Sequence, residues 1–447
     1  MRDILERRVG QVSRLARYGR VTRITGLVVE AAGIEVGIGE ICGITPLAGG
    51  REVLAEACGF HDGAVLLMAL GELDGVHPGA MVVPMGRAFD VRVGPGMLGR
   101  VFNGLGEAID GGPPIRFEDR MPLSATPPNP LHRRTIDSPL ETGVRAIDGM
   151  LTIGRGQRVG IFAGSGVGKS TLLGMIARHA HADVNVIALL GERGREVRDF
   201  IHQSLGAEGL ARSVLVVATG NEAALVRARG ALVATAIAEY FRDAGKHVLL
   251  MVDSITRVAM AWREIGLAVG EPPTTKGYPP SVFASLPRLL ERAGNSSHGG
   301  ITGLYTVLVD GDDFNEPVAD AARSILDGHF VLSRKLAAAG HYPAIDVLES
   351  KSRVRDHVIA PNHLSAAQRF LRAEAAYREK EDLVLVGAYQ RGSDPVMDSA
   401  LHCRPAMLGF LQQQPTDFTQ FATTVRGVQG VAHELQTALP LVKAGAQ

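Results

Sequence analysis

Residues 156–172 read GQRVGIFAGSGVGKSTL, an apolar strand that passes through a glycine-rich turn straight into a helix. No other stretch constrains the fold as much. A helix opening directly after a buried strand belongs to an α/β unit, and the middle of the chain repeats the alternation. VNVIALLGE, SVLVVATG, HVLLMVDS and LYTVLVDGDD are near-continuous apolar runs separated by helical stretches. Such runs imply a parallel sheet covered on both faces.

The flanks differ from this middle. Between about Gly19 and Pro84, short runs such as RVTRITGLVVEA, REVLAEACGF, AVLLMAL and AMVVPMG are punctuated by glycine turns, which indicates a small β-barrel or sandwich. RMPLSATPPNPLHRRTIDS, from Arg120 to Ser138, is too rich in proline for helix and reads as a connector running over the second domain. Beyond Pro361 the pattern turns helical, with Ser365 and Gln368 spaced as a capping box before AAQRFLRAEAAYREKEDLVLV. With 447 residues, 46% of them apolar, the chain is too long for one ordinary core. The expected division is 1–18 as an amphipathic segment, 19–88 as barrel, 89–362 as α/β domain and 363–447 as helical domain.

Lys plus Arg and Asp plus Glu both number 47, so bulk charge gives no basis for generic nucleic-acid or membrane binding. Cys42, Cys58 and Cys403 lack metal or disulfide spacing and read as small apolar residues, in keeping with a reducing cytosol. No apolar run approaches membrane-spanning length and the start lacks a signal peptide's apolar segment, so a cytoplasmic location is expected.

The glycine loop carries the first chemistry. Gly164, Gly166 and Gly168 let backbone N–H groups approach phosphate oxygens, Lys169 suits the β- and γ-phosphates, and the Ser170 hydroxyl suits Mg²⁺. Ser165, Val167 and Thr171 complete the loop, and Ala163 stands where the strict pattern has glycine. Downstream, Asp253 ends an apolar strand, placed either to hold Mg²⁺ through water or to cap the helix that follows. Glu192, just past VNVIALL, falls at the same sheet edge, where a carboxylate can polarise an attacking water; an ordinary surface ion pair is the alternative.

VGPGMLGRVFNGLGEAIDG, SPLETGVRAIDGM, FAGSGVGKST, GERGRE and HYPAIDVLESKSRV occur in that order along the chain. Together they resemble the F1/V-type rotary ATPase superfamily over essentially the whole sequence. The resemblance implies a β-barrel, a RecA-like nucleotide domain and a helical C-terminal domain, assembled as a six-membered ring that uses ATP and Mg²⁺. It implies that Glu192 activates water, that Arg193 lies near the γ-phosphate, and that Arg257 stands beside Asp253 at the metal. Tyr342 matches the position whose ring packs on adenine, unless it only fills core. Arg353 matches the arginine finger that reaches the neighbouring subunit's nucleotide, unless it serves a structural salt bridge.

Among branches, LVGAYQRGSDPVMD replaces the acidic loop of an ATP synthase catalytic subunit. EPPTTKGYPPSVFASLPRLLERAG, GDDFNEPVAD and LDGHFVLSR closely resemble type III secretion ATPases, with the N-terminal phrases nearer the flagellar export branch than the virulence branch. The implied partners are a central-stalk protein, export chaperones and substrates, and an export gate at the membrane. MRDILERRVGQVSRLARYGR carries six Arg against one Asp and one Glu, with Ile4, Leu5, Val9, Val12 and Leu15 near helical spacing. It reads as a basic amphipathic helix, either docking a peripheral-stalk regulator, as the family implies, or packing on its own barrel. A non-hydrolysing ring subunit would lack the carboxylate of Glu192. An RNA-translocating hexamer would want stacking aromatics that the barrel, with Phe60 and Phe89, scarcely offers.

Overall fold

The structure, a computed structural model, describes residues 18–46, 50–309 and 316–444, with side chains as far as 438. The expected N-terminal basic helix and the GDDFN portion of GDDFNEPVAD lie outside the described residues.

Six strands close the N-terminal barrel: β1 (Gly19–Thr25), β2 (Val28–Ala32), β3 (Glu40–Thr45), β4 (Val53–His61), β5 (Ala64–Ala69) and β6 (Met81–Ala88), in the order β1-β2-β5-β4-β3-β6. Val29, Ala31, Cys42, Ile44, Leu67 and Val82 fill its interior. RVTRITGLVVEA, which reads as one apolar run, is a hairpin. The chain turns at Gly26, whose φ of 57° lies in the left-handed region, and Thr25 pairs with Val28.

The central domain is built on β7 (Val101–Asn103), β8 (Arg158–Ala163), β9 (Val184–Leu190), β10 (Ser213–Ala218), β11 (His247–Asp253), β12 (Gly300–Leu308), β13 (Gly328–Leu332) and β14 (Ile345–Ser352). They lie in the order β14-β13-β8-β12-β11-β9-β10-β7, all parallel except β14, which runs antiparallel to β13. Every residue of β9 is buried, as two covered faces demand. One face carries α4 (Ala224–Asp243) and α5 (Ile255–Ala268), in the same apolar core as Val186, Val216 and Leu250. Within that face Arg292, 2% exposed, sends Nε to Glu239 Oε1 at 2.9 Å and Nη1 to Leu123 O at 2.6 Å. This clamps the proline-rich connector onto α4. Arg133 and Arg134 add further bonds from that connector to the carbonyls of Ala293 and Ser296.

On the other face the core is shared between domains. Ile147 and Met150 of α1 (Arg145–Met150) and Leu172 and Leu173 of α2 (Lys169–His179) belong to one cluster with Phe370, Phe410 and Val428. The last three come from α6 (Pro361–Leu385), α7 (Pro395–Leu411) and α8 (Phe421–Ala444). The C-terminal helices are therefore packed against the phosphate-loop side of the sheet. The first of them starts at Pro361, four residues before the expected Ser365. Proline at the first helical position has its φ already set and gives up an N–H that would be unpaired there anyway.

Candidate functional site

Parallel strands bring their carboxyl ends to one rim, and β8, β9 and β11 all deliver their successors there. Behind β8, Gly166 and Gly168 have φ of 78° and 89°, and Gly168 is the N-cap of α2 with no side-chain cap. The opening N–H groups of the helix are thus left to an incoming anion, with the helix dipole behind them. At Gly164 the Arg334 guanidinium lies against the loop, 2.7 Å from where a Cβ would stand. Ala163, where the strict pattern has glycine, is the last residue of β8, paired between Leu308 and Leu332 and buried. Ser165, Ser170 and Thr171 are exposed at the loop, and Val167 is buried beneath it.

Lys169 Nζ makes an ion pair with Asp253 and sits 3.4 Å from Glu192 Oε1, with the side chains of the three residues 12%, 3% and 16% exposed. Asp253 also accepts a hydrogen bond from the Thr306 hydroxyl at 2.7 Å. The helix-capping alternative for Asp253 goes instead to Ser254, whose Oγ accepts from Arg257 N at 3.3 Å. Glu192 is pushed up to about 7 by burial, with Lys169 opposing the shift and a hydrogen bond to Glu196 together with the Asp253 charge adding to it. Glu196 is held below its usual range, chiefly by that same hydrogen bond. One member of this cluster is therefore poised to exchange a proton near neutrality.

Arg257 lies against the turn that carries Glu192: a Cβ on Gly191 would come within 2.9 Å of its own Cβ. Its Nε is buried without a hydrogen-bond partner. Arg193 is not gathered in. Its side chain is 88% exposed and faces Glu196 at 3.8 Å.

Tyr342, 42% exposed, packs on the loop, its ring 3.4 Å from where a Gly168 Cβ would stand. It lines a cavity of about 540 Å³ together with Thr171, Met175, Gln412, Gln414 and Pro415. The far wall of that cavity comes from the C-terminal domain, which the sequence reading did not identify. The shared core brings that wall to the loop. Arg334 also went unnoticed, although LDGHFVLSR ends on it.

Arg353 lies elsewhere. Because β14 runs antiparallel, it ends at the amino rim of the sheet, where Arg353 N–H donates to Asp327 O at 3.0 Å and Asp327 N–H to Arg158 O at 2.9 Å. Arg158 opens β8 and the phosphate loop follows its other end, about 20 Å away at strand rise. The Arg353 side chain is exposed at that rim, so its guanidinium cannot complete its own chain's pocket.

The rim supplies N–H donors and a lysine for phosphates, and oxygen ligands in Ser170 and Asp253 for a hard divalent cation. No cluster of three or more His, Cys, Asp or Glu suited to a metal occurs among the described residues. A cation here would draw its remaining ligands from phosphate oxygens and water.

Comparison with known proteins agrees with this geometry. Residues 143–352 match the nucleotide-binding domain and residues 21–86 the beta-barrel domain of the ATP synthase alpha/beta family, and residues 359–429 match the T3SS EscN ATPase C-terminal domain. A flagellum-specific ATP synthase of Bacillus subtilis is 53% identical over 89% of this chain and 91% of its own. A type 3 secretion system ATPase of Xanthomonas euvesicatoria is 52% identical over 92% and 93%. The assembled ATPase EscN of the enteropathogenic E. coli type III secretion system superposes with a TM-score of 0.88 at 45% identity, over 93% of this chain and 100% of that one. In complex with its central stalk EscO it does so with 0.86 at 44%, over the same shares. Barrel, phosphate-loop sheet and C-terminal helices together place this chain in the ATP synthase alpha/beta family, among its type III secretion ATPases.

Proposed function

We propose that this protein is the ATP-hydrolysing motor subunit of a flagellar type III protein export apparatus. The observation that carries the reading is the Lys169–Glu192–Asp253 cluster at the mouth of the phosphate loop, with Glu192 tuned to about 7. Without phosphate, the Lys169 ammonium is paired with Asp253 and stands beside Glu192. A triphosphate seated on the N–H groups of the loop competes for the ammonium, and Glu192 is released to accept the proton of an attacking water. Mg²⁺, held by Ser170 directly and by Asp253 through water, would neutralise charge on the phosphate oxygens. Arg257, with a buried Nε still unpaired, stands ready to hold the Glu192 turn or the outgoing phosphate. Arg193 would have to swing inward from solvent to serve the γ-phosphate.

A finger fixed at the amino rim belongs to a neighbour's pocket, so Arg353 acts between copies in a ring, six in number by family pattern. The central stalk bound by EscN suggests a rod-like partner for the C-terminal helices here too. The regulator docked on the N-terminal segment, the export chaperones and substrates, and the membrane gate complete the proposed setting. No helix among the described residues is long and apolar enough to cross a membrane, so membrane contact would be peripheral. The virulence-type reading is kept in view by the Xanthomonas relative, whose identity is within one percentage point of the Bacillus one. Expression in two bacterial strains, one deleted for its flagellar export ATPase and one for its needle-secretion ATPase, decides between them. Restored swimming supports the flagellar assignment, whereas rescue of needle secretion alone reverses it, and a purified chain that never cleaves ATP removes the motor reading altogether.

A further inference from the structure

The cavity behind Tyr342 has one wall from each of two domains, and one buried side chain beside it, that of Gln413, is bonded to both. Gln413, 5% exposed, follows α7. Its backbone N–H donates to Tyr342 O at 2.9 Å. Its side-chain Nε2 donates to Gly143 O at 2.8 Å and Asp417 O at 3.0 Å, and its Oε1 accepts from Arg145 N at 2.9 Å. Arg145 is the first residue of α1, and the N-cap of that helix is Val144, which has no acceptor to offer. Gln413 therefore caps a helix of the nucleotide domain from the C-terminal domain.

The contact is reinforced from both sides. Arg145 returns its Nε to Phe410 O at 2.9 Å. The turn that presents Gly143 is itself held by the fully buried Asp148, which accepts from Thr142 N at 3.0 Å, Gly143 N at 3.0 Å and the Thr142 hydroxyl at 2.6 Å. Gln412, Gln413 and Gln414 all line the cavity, and of the three it is Gln413 that spends its side-chain amide on tying the wall down.

We propose that Gln413 is a positioning residue that locks the C-terminal wall to Tyr342 and to α1, so that the base end of the nucleotide is gripped only when the two domains are in this register. The proposal rests on the nucleotide-site reading given above. The groups proposed for the phosphates are at the loop and the rim, and Gln413 bonds to none of them, so a ligand without a base does not report on Gln413. A ligand with a base does.

The experiment measures ADP and inorganic pyrophosphate binding to the full chain by calorimetry, for wild type, Gln413→Ala and Gln413→Glu. Alanine strands Asp417 O and Arg145 N and leaves Gly143 O only the longer bond from Thr419 N at 3.4 Å. Glutamate keeps the shape and the acceptor for Arg145 N, but aims a carboxylate oxygen at two carbonyl oxygens. The ADP dissociation constant rises about tenfold for alanine and further for glutamate, whereas that of pyrophosphate stays within about twofold. In turnover, KM for ATP rises several-fold more than kcat falls. A ratio of the two dissociation constants unchanged in both variants, through intact or evenly weakened binding, overturns the proposal while leaving the site standing. A wild type that binds ADP no tighter than pyrophosphate removes the site assignment and the proposal with it.

Discussion

The proposed chemistry of the rim turns on Glu192. Its carboxyl is raised to about 7 because burial disfavours the charged form more than Lys169 favours it. A general base must be unprotonated, so kcat/KM rises with pH and reaches half its plateau near pH 7; a profile flat from pH 5.5 to 8.5 would separate Glu192 from the proton transfer. Glu192→Gln keeps the shape and loses the base. It is expected to cut kcat by about 10²–10⁴ while nucleotide still binds, as single-turnover and binding assays can show. Arg193 gives a contrasting case. From its solvent-exposed position, Arg193→Ala should lower turnover far less than Glu192→Gln, and an equal loss would mean that the side chain moves inward during the cycle. Lys169, Glu192 and Asp253 were legible in the sequence because each lies at the carboxyl end of an apolar strand or in the turn beyond it, and parallel strands share a rim. Gln413 was not. Its partner Arg145 lies 268 residues away, and nothing in either local pattern announces the meeting.

At the level of elements, the sheet was readable and its edges were not. Five apolar runs announced five strands, but β14 is a mixture of charged and apolar residues that pairs only because β13 offers an edge. The hairpin at Gly26 hid in one apolar stretch, since an isolated glycine does not mark a turn by itself. Pro361, not the Ser365 box, opens α6 because tertiary packing of His363 and Ala366 holds the earlier turn in place. The Arg292–Glu239 pair shows what stabilises the sheet's α4 face. Both side chains are 2% exposed, and Arg292→Ala would leave a buried carboxylate without its hydrogen-bonded counter-charge, the Arg242 guanidinium standing 4.0 Å off. The expected loss is about 3–5 kcal/mol, read as a lowered urea midpoint for the central-domain transition; a midpoint within experimental scatter of wild type would mean water replaces the guanidinium.

For the whole molecule, the separation of Arg353 from Lys169 predicts complementation. Neither Lys169→Ala nor Arg353→Ala chains should turn over ATP well alone. Mixed at concentrations that permit assembly, they create interfaces where an intact Lys169 meets an intact Arg353, and a measurable fraction of activity should return. A mixture no more active than its parts would place the finger elsewhere. Wild-type activity per chain should fall steeply on dilution, for the same reason.

The antiparallel return of β14 has a mechanical corollary. Since the guanidinium and the phosphate cradle are mounted at opposite ends of one stiff plate, neither can tilt without carrying the other. When a copy settles around its own fuel, the lever that the proposed function has it extend into the next copy would shift as well. Timing around such a closed circuit would then be handed on through the backbone itself, with no separate signalling part required.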